Sequence, residues 1–265
     1  FLEEFDLQAR KAIVVAVSGG SDSTALLLLT RAWRDRVAPS LRILVATVDH
    51  GLRAESAKEA AAVATLCAKL GIDHVTLRWT GEKPSTGVQA AARAARLRLL
   101  ATAARKAGTD LVLLGHTLDD QAETVAMRAD RGPGIGLAGM APATLVDGAV
   151  WFVRPLLKVG RQDLRAFLRD RGIAWIDDPS NDNPAFERVR MRSAKPLIAR
   201  ERIEEAARER SNLASGAAAL LDRHAATPSR GLVRLDPAFF GAGDRDAAIH
   251  ALRALLAAVG GVEHL

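Results

Sequence analysis

The sequence has 265 residues, 49% of them hydrophobic, with a formal charge of +6 and a pI of about 10.1. With no apolar run of membrane-spanning length and no opening signal segment, it reads as a soluble chain with no membrane partner, large enough for one α/β domain and something smaller. A single cysteine, Cys67, rules out an intramolecular disulfide and fits a reducing cytoplasm, while 4% aromatics and no tyrosine leave little for recognition by many stacked bases.

The apolar run Ala12 to Val17 predicts a strand, and Thr24 to Leu29 a helix. Between them lie Ser18, Gly19, Gly20, Ser21, Asp22 and Ser23. A β-branched run entering two glycines and then a helix is how an α/β fold builds a phosphate cradle, because backbone N–H groups and the helix dipole point at an anion. The string lacks the lysine of a Walker A loop and the third glycine of a dinucleotide fingerprint. Asp22 among hydroxyls makes sense if Mg²⁺ lies between it and a phosphate; otherwise it is a helix-start carboxylate, and the turn is punctuation.

Further strands are expected at Arg42 to Val48, His74 to Trp79, Asp110 to Leu114 and Val150 to Val153, separated by Ala/Leu-rich helices. That alternation predicts an α/β fold, a parallel sheet with helices on both faces, followed by a smaller, mostly α-helical region. Ser56 with Glu59 and Thr86 with Gln89 fit capping boxes, and Gly71 and Gly108 fall where helices should stop. Asp49, His50 and Arg53 follow the second strand, where the ligand crevice of a parallel sheet lies. Cys67 sits in an alanine-rich helix and reads as core. Arg93 and Arg96 lie three apart on the next helix, facing a nucleotide or solvent.

After the fourth strand come His116, Asp119, Asp120 and Glu123, the three acids within one helical turn. They could bind the cationic groups of an amine substrate and take its proton, or simply cap a helix and offset its dipole. Asp177 to Pro184 gathers turn residues, which sets the expected boundary between domains 1–186 and 187–265. Beyond it, Arg188, Arg190, Arg192, Lys195, Arg200, Arg202, Arg208 and Arg210 form a basic stretch, suited to a phosphate backbone or to a solvated, ion-paired helix. A turn at Thr227 to Gly231 interrupts the helical pattern.

The string SGGSDS resembles the SGGxDS of PP-loop ATP pyrophosphatases, which cleave ATP to AMP and pyrophosphate. With Val48-Asp49-His50-Gly51-Leu52-Arg53, the run Leu114 to Thr124, Gly139-Met140 and Asp178-Pro179-Ser180-Asn181, the set resembles the bacterial tRNA(Ile)-lysidine synthetases from about Ile13 to Arg192. The resemblance implies a PP-loop, adenine nucleotide α-hydrolase-like fold. It also implies ATP and Mg²⁺ as cofactors, and as partners free L-lysine, an isoleucine tRNA with a CAU anticodon, and in some arrangements a second copy in a homodimer.

In the implied reaction ATP adenylates the wobble cytidine at the oxygen on carbon 2, and lysine displaces AMP. The loop Ser18 to Ser23 with Asp49 and His50 is then assigned to ATP, Asp22 to Mg²⁺, and Asp119, Asp120 and Glu123 to lysine. Asp22, His116 and Asp120 are the expected catalytic set, and Arg53, Arg93, Arg96, Arg188 and Arg192 the tRNA contacts. Where the family places an aromatic after its Arg pair this chain has Leu97, and Val189 follows Arg188 in place of asparagine, so those two roles are not carried over. Longer members of the family carry a further C-terminal domain. A thiolase of the same superfamily needs paired cysteines, and amide-forming relatives fit the strand-end strings less well. A non-catalytic nucleotide- or RNA-binding protein would not need the acids at 22, 119, 120 and 123.

Overall fold

Apolar runs without polar alternation are buried on both faces, and these strands have helices to cover them. The computed structural model describes residues 2, 5–52, 55–81, 83–129, 139–177, 200–229 and 232–260. The chain divides into two compact units, Phe1–Glu123 with Met140–Lys195, and Thr124–Gly139 with Pro196–Leu265. The boundary expected at residues 186 and 187 lies outside the described residues.

The first unit runs β1 (Ala12–Ala16), α1 (Ser21–Val37), β2 (Arg42–Asp49), α2 (Ser56–Leu70), β3 (Asp73–Arg78), α3 (Val88–Lys106), β4 (Leu111–Leu113), α4 (Leu118–Ala129, counted with the second unit from Thr124), β5 (Ala143–Val146), β6 (Val150–Val153) and α5 (Arg161–Arg169). The strands are ordered β3-β2-β1-β4-β6-β5, parallel except for the β5–β6 pair. Ile13, Val15 and Val17 join one core with Leu26 and Leu27 of α1, Val63 and Cys67 of α2, and Leu164 and Leu168 of α5. Val14 and Ala16, alternating to the other face, join Leu100, Ala101 and Ala104 of α3. Burial pushes the Cys67 thiol up to about 11, so it is packing material.

The antiparallel edge strand β5 was not expected. Asp147 and Gly148 both have positive φ, 52° and 61°, and Ala149 N–H donates to Val146 O, a primed hairpin turn of the kind Asp-Gly favours. Gly71 closes α2 as anticipated, with φ 65° and with Gly71 and Ile72 N–H bonded to Ala68 O and Cys67 O. Neither expected capping box forms. The Ser56 hydroxyl donates instead to Asp49 Oδ1 at 2.6 Å, and α3 starts at Val88 behind a left-handed Gly87 with no side-chain cap.

The chain visits β1, β2 and β3 on one side and returns to β4 on the other, so β1 and β4 flank the point where strand order reverses. Ligands of open parallel sheets bind at the carboxyl ends of such strands.

The second unit contains α6 (Arg200–His224), β7 (Ala225–Ser229), β8 (Leu232–Leu235), a short 3₁₀ turn (Pro237–Gly241) and α7 (Arg245–Gly260) around Ala217, Leu220, Phe239, Ala247 and Ala251. Thr227 belongs to an antiparallel hairpin, where the sequence reading had only a turn. No described helix is long and apolar enough to cross a membrane.

Candidate functional site

The loop between β1 and α1 is braced from within. Ser23 Oγ accepts from Ser18 N–H at 3.2 Å and donates to Gly20 O at 3.1 Å, which leaves the Ser18 hydroxyl to donate to it at 3.2 Å. Ser23 is buried, whereas Ser18 is exposed and Gly20 half-buried, so the open rim of the turn is Ser18 and Gly20. Gly19 has φ +92°, and a Cβ there would lie 2.6 Å from Ile176 Cδ1. Ile176 also donates its N–H to Gly19 O at 2.9 Å, so the segment after α5 backs the loop.

Across the switch point, Thr117 and Asp120 form a reciprocal cap at the start of α4. Asp120 Oδ2 accepts from Thr117 N–H at 2.8 Å and from its hydroxyl at 3.0 Å. Gly115 lets this turn approach α1, since a Cβ there would lie 3.0 Å from Ser23 N and Cα and 3.1 Å from the Asp22 carbonyl carbon. Asp22 and the acids of α4 are thereby brought together.

What that reading missed is the group between them. Arg161, first residue of α5, donates from Nε to Asp22 Oδ2 at 2.9 Å and from Nη2 to Asp120 Oδ1 at 3.0 Å, and its Nη1 is 3.7 Å from Glu123 Oε1. Its backbone N–H donates to Asp119 Oδ2 at 2.8 Å. Burial works against the guanidinium charge, but the Asp22 hydrogen bond and the charges of Asp120, Asp22 and Glu123 outweigh it and raise its pKa. One turn on, Arg165 reaches Asp177 at 3.1 Å and stacks 5.9 Å from the Trp175 ring centroid. The trace of this in the sequence is the i,i+4 arginine pair, which shares a helical face with the buried Leu164 and Leu168.

At the end of β2, Asp49 is buried, and its carboxylate accepts from Ser56 and from Gly51 N–H at 2.9 Å. These two bonds hold its pKa below the ordinary carboxylate value. Its side chain thus stabilises the turn that presents His50, whose ring meets Trp79 edge-on at 6.5 Å. A cavity of about 580 Å³ lies against this end of the sheet, lined by Ser18, Gly20, Val48, His50, Arg96 and Ile176 among others.

His116 is half-buried, and its Nδ1 has no hydrogen-bond partner among the described residues. Burial, opposed by Asp120 and reinforced by Arg154, Arg96 and Arg93, lowers its pKa to about 3. The imidazole is therefore neutral at cellular pH. Arg96 is half-buried in α3 and its pKa is lowered by burial and by Arg93. Arg53, Asp178, Asn181, Arg188 and Arg192 lie outside the described residues.

Among the described residues no group of three or more His, Cys, Asp and Glu side chains is arranged to hold a metal unaided. Mg²⁺ needs no such group when phosphates and water complete its shell. Asp22, whose Oδ1 accepts from the Ser21 hydroxyl at 2.9 Å beside the loop rim, is a hard oxygen donor of the right kind.

A glycine loop after the first strand of a parallel sheet, faced by an acidic helix start at the switch point, defines an α/β protein of the phosphate-loop class. The chain belongs to the PP-loop domain family, whose model matches residues 1–197. It is 54% identical over 265 residues to the tRNA(Ile)-lysidine synthase of Mesorhizobium japonicum, covering 95% of this chain and 58% of that protein. To the tRNA(Ile)-lysidine synthase of Rhodopseudomonas palustris it is 53% identical over 197 residues, 74% of this chain and 57% of the relative. The chain thus spans little more than half the length of these curated relatives. Among solved structures, the U34-tRNA thiolase NcsA of Methanococcus maripaludis, determined with its [4Fe-4S] cluster, superposes with a TM-score of 0.63 at 17% identity over 78% of this chain and 73% of that one, a likeness of fold.

Proposed function

We propose that this chain is the catalytic part of a cytoplasmic tRNA(Ile)-lysidine synthase, which joins L-lysine to carbon 2 of the wobble cytidine of a CAU anticodon at the expense of ATP. The observation that carries the reading is the meeting of the Ser18–Ser23 loop with Asp22, Asp119, Asp120 and Glu123 beside a cavity of nucleotide size. Residues 1–186 would form the catalytic domain, and the basic region 187–265 would contact tRNA together with Arg53, Arg93, Arg96, Arg188 and Arg192.

ATP enters the cavity at His50 and Arg96, with its phosphates on the rim formed by Ser18 and Gly20. Asp22 would hold Mg²⁺, which when bound neutralises charge on the departing pyrophosphate. Cytidine O2 attacks the α-phosphorus, the bond to the bridging oxygen breaks, and pyrophosphate leaves. The carbonyl carbon is then a usable electrophile, because its oxygen departs as part of AMP. Lysine must present a neutral ε-amine, whose reference pKa is about 10.4. Asp119, Asp120 and Glu123 hold its cationic groups, and Asp120 takes the proton. The neutral His116 donates or accepts one hydrogen bond at the reacting base without adding charge. A thiolase reading is disfavoured within this sequence, because its one cysteine is buried and its thiol is raised to about 11.

The direct test supplies ATP, Mg²⁺, radiolabelled lysine and a CAU-anticodon isoleucine tRNA transcript. Label is expected in the tRNA, with release of AMP and pyrophosphate. Failure of incorporation beside an active full-length relative, with folding intact, refutes the assignment for this chain.

A further inference from the structure

Among the described residues, Arg161 is in contact with Asp22, Asp119, Asp120 and Glu123 together. Its three guanidinium nitrogens face Asp22, Asp120 and Glu123 at 2.9, 3.0 and 3.7 Å, and its amide is bonded to Asp119. The guanidinium is 16% exposed, and its three carboxylate partners 18%, 17% and 7%. One cation thus neutralises part of a cluster of three acids, in the place where an ammonium group would have to sit. The acids come from two helices, α1 and α4, and the Asp22 end adjoins the glycine loop.

We propose that Arg161 is a positioning residue that gates the amine site: without nucleotide its guanidinium occupies Asp120 and Glu123, and a triphosphate on the Ser18–Ser23 loop draws it away and opens them to lysine. The inference rests on the function proposed above. A phosphate chain offers a guanidinium two-pronged hydrogen bonds at least as good as those of a carboxylate. A cation on Asp22 would remove the partner of Nε at the same moment. Departure of the guanidinium takes one positive charge from beside Asp120 and Glu123, which favours an incoming ammonium. Nucleotide and lysine are then coupled through one side chain, and the coupling is reciprocal. Lysine would be admitted after the ATP that activates its target.

The test is equilibrium dialysis of radiolabelled L-lysine against the full chain, with and without a non-hydrolysable ATP analogue and Mg²⁺, for the parent, Arg161→Gln and Arg161→Lys. The parent should bind lysine about tenfold more tightly with the analogue, a typical coupling. Arg161→Gln should bind lysine with one affinity in both conditions, near the parent's analogue-bound value. Arg161→Lys, which keeps the charge but not the planar geometry, should retain a reduced dependence, and it carries the test if circular dichroism shows the glutamine variant unfolded. Lysine binding by the parent that ignores the analogue overturns the gate alone, as does undiminished coupling in a folded variant. No lysine binding by parent or variants, although the analogue binds, overturns the gate and the function together.

Discussion

Gly115→Ala isolates the close backbone-to-backbone approach in the site. The added methyl would lie 3.0 Å from Ser23 N and Cα and 3.1 Å from the Asp22 carbonyl carbon, all backbone atoms of the first turn of α1. No side chain can swing aside, so the turn carrying His116 and the start of α1 must part by about 0.4 Å to reach ordinary contact. Overpacking of this kind costs about 1–3 kcal/mol. For a unit of this size that is a fall of about 2–12 °C in the melting midpoint. Gly108→Ala is the control, because its penalty comes from φ +71° with no atom within 4 Å; a left-handed alanine costs about 1–2 kcal/mol and leaves the site untouched. Thermal melts followed by circular dichroism and calorimetric titration with a non-hydrolysable ATP analogue separate the two. Both variants should melt earlier, and only Gly115→Ala should bind the analogue more weakly, by about tenfold, as expected for displaced phosphate donors. Equal analogue affinity for Gly115→Ala and the parent would refute the idea that this contact sets the loop.

His116 should show no imidazole titration between pH 5 and 8 in proton NMR, because its folded pKa is lowered to about 3. Since the unfolded chain binds that proton below about 6.5 while the folded one does not, its contribution to stability is present above pH 6.5 and is lost as pH falls toward 3. Denaturant midpoints of the parent should therefore fall more steeply between pH 7 and 5 than those of His116→Gln. Ser56→Ala removes the 2.6 Å hydrogen bond to Asp49. It should cost about 1 kcal/mol in urea unfolding and raise the Asp49 pKa, measurable by carboxyl carbon NMR.

The glycine loop was legible because its geometry is local: strand, turn and helix are contiguous, and Gly19 answers to its own φ. So were Gly71, the acidic first turn of α4 and the parallel sheet, all written in short-range pattern. The cap expected at Ser56 failed because the helix begins one residue earlier, with Glu55 at its N-cap and Ser56 already helical, and the Ser56 hydroxyl bonds Asp49 of the preceding strand. The strand β5 was missed although Asp147-Gly148 marks its turn, since four residues of mixed polarity give little alternation. Arg161 was missed for a different reason: its contact with Asp22 joins residues 139 apart, and its place beside Leu164 and Leu168 on the helix marks a buried face without naming its partners. The role of Asp49 was likewise hidden, because only the folded turn shows its oxygen spent on Gly51 and Ser56.

The chain has four tryptophans and no tyrosine, so its near-ultraviolet emission comes from indoles alone. Trp33 is 7% exposed in the core, and Trp151 is 40% exposed on an edge strand. The other two stand by the crevice: Trp79 against His50 and under the Lys83 ammonium, Trp175 bonded to Asp177 beside Arg165 and next to the residue that backs Gly19. Two built-in fluorophores therefore report on the site, one beside His50 at the cavity and one beside Ile176, which supports the loop. Ligand arrival at each place can be followed in time on the unlabelled chain.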